Sequence, residues 1–220
     1  GKPRIERLVS GVTASQALID AAIAERADAI FVHHGLFWRG QDGRVTGWMK
    51  QRLQRLLAHD ISLFAYHLPL DAHPQWGNNA QWGQRLGWVA DGHFGEQDLG
   101  CIASAAYANA QALAQQLQSV LGRDVTLVQP PEKSAQAVRR VAWCSGGAQS
   151  YFEAAIAAGA DVFVTGEISE PQAHLAREMG VAFIAAGHHA TERYGAPAVA
   201  AHVAQAHGIS HVFIDIDNPA

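Results

Sequence analysis

Apolar runs of strand length alternate with stretches of helical spacing along most of the chain. That alternation predicts βαβ units around largely parallel sheets rather than a helical bundle or a sandwich. Residues 5–9 read as a strand, Thr13-Ala-Ser15 as helix-capping residues before the apolar spacing of Ala17, Ile19, Ala22 and Ile23, and 29–32 as a second strand. Met49, Leu53, Leu56 and Leu57 mark a helix over 48–58, and 61–66 is a third strand. Residues 102–121 have the Ala- and Gln-rich composition of one helix, followed by a short strand at 125–128.

The pattern then recurs. Strands are predicted at 141–144, 162–164 and 181–185, with helices at 152–158 and 172–179 between them. Ala-Ala-Ile-Ala occurs at 21–24 and again at 154–157, each time followed by Ala-Asp (Ala27-Asp28, Ala160-Asp161) and an apolar strand. With one small gap the first 70 residues align with 139–192, which places His34 opposite Glu167. We read a duplicated α/β half-domain, with a boundary around 130–138 that divides the chain into halves 1–130 and 131–220. The fold class expected is α/β, with mainly parallel sheets, flanking helices and a site at the carboxyl ends of the strands.

Composition narrows the function classes. A 49 % hydrophobic chain of 220 residues can bury a substantial core. No apolar stretch reaches the roughly 18 residues of a membrane span, so a cytoplasmic location is expected. The formal charge of −4, with 16 Lys plus Arg scattered along the chain, offers no stripe to neutralise a nucleic-acid backbone. The two cysteines, Cys101 and Cys144, form no C-x-x-C pair, so thiolate zinc sites and disulfide frameworks are not indicated. The chain starts without Met and enters a strand almost at once, so an upstream segment is expected.

Histidine is the outlier, with 12 residues, several in dense groups at predicted strand exits. His33-His34 follow the second strand, His67-Leu-Pro-Leu-Asp71 the third, and Gly187-His-His-Ala-Thr-Glu192 the last. In parallel sheets these exits converge on the usual ligand crevice. Neutral imidazole and carboxylate are donors for divalent cations. If the last turn is helical, the spacing of four residues sets His188 and Glu192 side by side. His33, His34, Asp71, His188 and Glu192 are therefore the candidate metal ligands. Isolated histidines such as His73 and His174 are read as structural or solvated. His67 either orients Asp71 or contacts substrate, Glu167 is a candidate to take a proton near the metals, and His189 is a third candidate catalytic group. Ser145-Gly-Gly147 could present backbone amides to an anion.

The motifs Val9-Ser-Gly-Val-Thr-Ala-Ser-Gln, Phe31-Val-His-His-Gly, His67-Leu-Pro-Leu-Asp-Ala-His, Gly77-Asn-Asn, Thr165-Gly-Glu and Gly187-His-His-Ala-Thr-Glu-Arg193 resemble the YbgI-like family of GTP cyclohydrolase I type 2 homologues over essentially the whole chain. That resemblance implies a duplicated α/β fold, ring-shaped homohexamers and a dinuclear centre held by the same five residues. The family's N-terminal helix and its Asn-Gly-Leu-Gln-like stretch have no counterpart here. The resemblance also implies hydrolysis of a small molecule, a nucleotide in the family's name, with metal-bound hydroxide as nucleophile. The metals would be two zinc, iron, manganese or similar ions per chain. The competing reading is a non-enzymatic oligomeric scaffold or metal-handling protein.

Overall fold

A computed structural model describes residues 1–220 and divides them into two compact units. The first comprises Gly1–Leu70 with Arg193–Asp217, the second Asp71–Glu192 with Asn218–Ala220. The stretch 130–138, expected to separate the halves, instead joins β6 (Thr126–Val128) to β7 (Val138–Trp143), two strands of one sheet. The first unit is discontinuous, because the chain returns to it after Glu192.

In the first unit, β1 (Arg7–Thr13), β2 (Ala29–His34), β3 (Ser62–Ala65) and β10 (Ser210–Phe213) form an all-parallel sheet in the order β10-β1-β2-β3. Alternating residues of β1 and β2 face opposite layers, and both layers are covered, which explains the nearly continuous apolar run of β2. Val9, Ile30 and Val32 pack with α1 (Gln16–Ala24) and α2 (Gly47–Ala58), whereas Leu8, Ala29 and Phe31 pack with α9 (Gly195–His207). The Ser15 hydroxyl accepts from the Leu18 amide and caps α1, as Thr13-Ala-Ser15 predicts.

The second unit holds a six-stranded sheet in the order β4-β5-β7-β8-β9-β6, with β4 (Gly92–Phe94), β5 (Gly100–Tyr107), β8 (Val162–Thr165) and β9 (Ala182–Ala185). Only β7-β8-β9 run parallel; the outer pairings are antiparallel. Against the expectation of one long helix over 102–121, the first part of that stretch is β5 and only Ala110–Leu121 is helical, as α5. Two neighbouring strands claim residues 100–107 for the sheet, overriding the helical propensity of their alanines. Asn109 then restarts the chain as a helix by accepting from the Ala112 amide. Phe152, Phe163 and Phe183 fill the core between this sheet and the helices α6 (Phe152–Ala157) and α7 (Glu170–Met179).

Internal duplication is visible bond by bond. In β1-β2-β3, Leu8 pairs with Ala29 and Ala29 with Ser62; in β7-β8-β9, Val141 pairs with Val162 and Val162 with Ala182. Asp28 Oδ2 accepts the amides of Glu6 and Arg7 at 2.9 Å each, and Asp161 Oδ2 accepts those of Arg139 and Arg140 at 2.7 and 2.9 Å. Each aspartate thus fixes the relative start of two parallel strands, and so where both strands end. None of the helices is long and apolar enough to cross a membrane.

The Lys2 ammonium, bonding Asp28 Oδ1, and the two amides hold the Asp28 carboxyl at about 2, well below its ordinary 3.8. A depressed carboxyl stabilises the fold above its unfolded pKa, and the contribution is lost as pH falls through the folded value. Asp28→Asn should therefore lower Tm at pH 7, and the gap to the unaltered protein should narrow between about pH 4 and pH 2. Thermal melts at stepped pH check this; a gap that stays constant would contradict the assignment.

Candidate metal centre

The first unit brings three histidines together at its strand exits. His33 and His34 are the last two residues of β2, and their rings lie 4.6 Å apart. His67 is the second residue after β3, with its ring 4.9 Å from His33 and 5.5 Å from His34. One ring nitrogen of each lies within 4.8 Å of the other two. His33 is wholly buried, and its Nδ1 is 2.9 Å from the Tyr66 carbonyl. A carbonyl only accepts, so Nδ1 carries the proton and Nε2 the lone pair that a cation can take. Nδ1 of His34 pairs with the Thr13 hydroxyl at 3.0 Å. Trp38 walls this group, its ring edge-on to His67 at 4.9 Å.

From the first unit, α3 (Leu68–Ala72) leads the chain to Asp71, the first residue of the second. Asn78 Nδ2 and Ser145 Oγ both donate to Asp71 Oδ1, at 2.9 and 3.2 Å. Asn79, the next residue of α4 (Asn78–Leu86), donates to the carbonyls of Asp71 and Leu99 and accepts the Ser145 amide at 2.7 Å. The Gly77-Asn-Asn motif thus acts through two buried side-chain amides that hold Asp71 at the end of α3. The motif alone does not disclose this role, because the partners lie outside it, from seven to 66 residues away along the chain.

The Gly187 turn opens at φ +97 into α8 (His188–Thr191), and Glu192 follows as its cap. As the spacing predicts, His188 and Glu192 are neighbours, with Nε2 and Oε2 3.2 Å apart. His188 Nδ1 is 2.6 Å from Glu167 Oε1, an acceptor. The Glu192 bond, reinforced by Glu167, pushes the His188 imidazole up to about 9 against the cost of burial. The His188 bond in turn holds the Glu167 carboxyl below its ordinary value. His189, the third catalytic candidate, sits on α8, where its backbone amide donates to the Ala220 carbonyl.

Two amides of the Ser145-Gly-Gly147 turn are engaged within the protein, as is that of Ala148 after it. Ser145 N donates to Asn79, Gly146 N to the Thr191 hydroxyl and Ala148 N to the Thr165 hydroxyl. Its glycines serve close approach: a Cβ at Gly146 would stand 2.2 Å from Glu192 Oε1 and 3.2 Å from His188 Nε2.

These residues fit divalent cations. Asp71 and Glu192 are 9 % and 3 % exposed, and each offers a carboxylate oxygen within 4.8 Å of the other. Two buried like charges at that separation oppose one another unless a cation matches them. His33, His34 and His188 are each tethered at Nδ1, the arrangement by which an outer partner fixes the tautomer of a metal-binding imidazole. Of the isolated histidines, His73 accepts the amides of Gln75 and Trp76, and His174 pairs with Glu170 one helical turn away.

Comparison with known proteins bears on these motifs. A relative from Neisseria meningitidis serogroup A, named GTP cyclohydrolase 1 type 2 homolog, is 50 % identical over 221 residues, spanning 100 % of this chain and 88 % of its own. A solved structure described as protein ybgI, of unknown function, matches with a TM-score of 0.93 at 44 % identity, covering 100 % of this chain and 88 % of the other. The structure of TTHA1606 from Thermus thermophilus matches at 0.89 with 33 % identity, covering 100 % and 87 %. The family model described as Duf34/NIF3 (NGG1p interacting factor 3) spans residues 1–219, and the chain belongs to that family.

Proposed function

We propose that this chain is a metal-dependent hydrolase in which His33, His34, Asp71, His188 and Glu192 together hold two divalent ions. The observation that carries the reading is that three imidazoles are each tethered at Nδ1, two in the first unit and one in the second, while the second unit also buries a pair of carboxylates. Chain topology supports pooling the two sets. Two of the three passages between the units run through a ligand motif, at Leu70/Asp71 and at Glu192/Arg193; the third is at Asp217/Asn218. Five donors exceed what one ion takes from protein but fall short of saturating two, so positions remain for water and substrate. Zinc, iron and manganese all suit this donor set.

Two such ions supply Lewis acidity, making coordinated water acidic near neutral pH and polarising a substrate oxygen. The protein's own part is orientation and proton handling. Asn78 and Ser145 fix the face that Asp71 presents, and Glu167 fixes that of His188. His67, grouped with His33 and His34, would move a proton to or from substrate at a ring nitrogen. Trp38 closes one side of the histidine group with an apolar wall. The name borne by the relatives supports a small nucleotide as substrate, and the chain has no P-loop to grip its phosphates. A substrate screen of metal-loaded protein over nucleotides, phosphodiesters and cyclic amides tests the reaction class. Turnover that survives complete metal removal would contradict it.

Metal analysis of reconstituted, desalted protein should return about two ions per chain. Asp71→Ala and Glu192→Ala should lower that occupancy sharply, whereas His73→Ala and His174→Ala should leave it unchanged. Gly146→Ala should lower it without removing a donor, because its Cβ would displace Glu192. Equal loss in all five variants would show damage to the fold instead.

His188 is protonated below about 9 in the metal-free protein, so a cation must displace that proton. Affinity should therefore weaken steadily as pH falls from 9 towards 6, and binding at pH 7 should release at least one proton. Calorimetry in buffers of different ionisation enthalpy measures the release; a heat independent of buffer would contradict it. On the resemblance to ring-forming homologues we also propose a homo-oligomer, a hexamer. Light scattering should return about six chain masses, and a monomer mass would count against it.

A further inference from the structure

Glu167 is the anionic member of the three outer partners that hold the ligand imidazoles. His33 leans on a backbone carbonyl and His34 on a hydroxyl, but His188 Nδ1 meets a carboxylate oxygen at 2.6 Å. The other Glu167 oxygen is occupied as well, accepting from Gln149 Nε2 at 3.1 Å. Gln149 is anchored through its carbonyl, which accepts from Gln172 Nε2 in the first turn of α7. Gly147 lies against both partners of the pair: a Cβ there would stand 3.4 Å from the Glu167 carboxyl carbon and 3.4 Å from His188 Cε1. The acid therefore has a fixed seat, with one oxygen aimed at a ring nitrogen on the far side of the imidazole from Glu192.

We infer that Glu167 is the positioning residue of the His188 ligand: by accepting from Nδ1–H it fixes the ring's orientation and tautomer so that Nε2 is the donor. The inference rests on the metal reading above. It replaces the view of Glu167 as a group that takes a proton from substrate, since both carboxylate oxygens are already committed, one to His188 and one to Gln149. A carboxylate partner also makes the imidazole a stronger donor than a carbonyl or hydroxyl does. The duplication supports the role. Glu167 stands at the position that His34 holds in the first half, so one strand exit supplies a ligand and its counterpart supplies the support for a ligand.

The test compares the unaltered protein with Glu167→Ala, Glu167→Gln and His188→Ala, using zinc affinity by chelator competition and the Tm of the metal-free protein. Loss of the group that orients a ligand costs roughly 10- to 100-fold in metal affinity, and Glu167→Ala should bind zinc more weakly by that factor. Glu167→Gln should recover most of that loss, because its amide oxygen still accepts from Nδ1–H and a turned Gln149 amide restores the second contact. His188→Ala should be at least as weak as Glu167→Ala, and Glu167→Ala and Glu167→Gln should both melt cooperatively without metal, so that the affinities compare folded proteins. Glu167→Ala binding as tightly as the unaltered protein would overturn the positioning role while leaving the metal reading intact. Glu167→Gln as weak as Glu167→Ala would overturn it too, since the hydrogen bond would then not be what matters. An unaltered protein that binds no zinc would remove the metal reading, and this role with it.

Discussion

The constraint around which the molecule is organised is the burial of two carboxylates, Asp71 and Glu192, with oxygens within 4.8 Å of each other. Water does not screen that charge, and a protein interior does not tolerate it uncompensated. The polar groups beside it are arranged accordingly. Asn78 and Ser145 donate to Asp71, His188 stands against Glu192, and the Gly146 backbone comes close enough that no side chain fits. The protonated His188 gives part of the balance in the metal-free state. A divalent cation would give more of it, which is why we read these groups as ligands and not as a buried ion pair.

Delivering those groups depends on where strands begin. Asp28 and Asp161 each grip two consecutive amides of the preceding strand, and the same register runs through β1-β2-β3 and β7-β8-β9. A strand whose start is fixed has a fixed exit. His33 and His34 leave β2 at such an exit, and Glu167 follows β8 at the matching one. The duplication thus provides two copies of one scaffold, while the residues at the matching exits differ: two imidazoles in the first, a carboxylate in the second.

Much of this was legible in the sequence because it is local. The apolar run of 29–32 and the histidines behind it, the four-residue spacing of His188 and Glu192, and the paired Ala-Asp signals need only short windows to read. What escaped depends on distant partners. Residues 102–107 look helical by composition and become β5 because β4 and β7 pair with them. The chain's return to the first unit after Glu192 has no local signature, so a linear boundary near 130–138 missed a discontinuous unit. The side chains of Asn78 and Asn79 look like any polar helix start until Asp71, Leu99 and Ser145 are in place around them. The Ser145-Gly-Gly147 turn reads as an anion cradle, and only long-range bonds show the amides of Ser145 and Gly146 already engaged by Asn79 and Thr191.

The central claim is that five side chains share two metal ions, and anomalous diffraction from crystals of the metal-loaded protein tests it most directly. Data collected on both sides of the metal's absorption edge should show two peaks per chain, each about 2.0–2.3 Å from donor atoms drawn from His33, His34, Asp71, His188 and Glu192. No anomalous density there, or peaks confined to other histidines such as His73 or His174, would contradict the account.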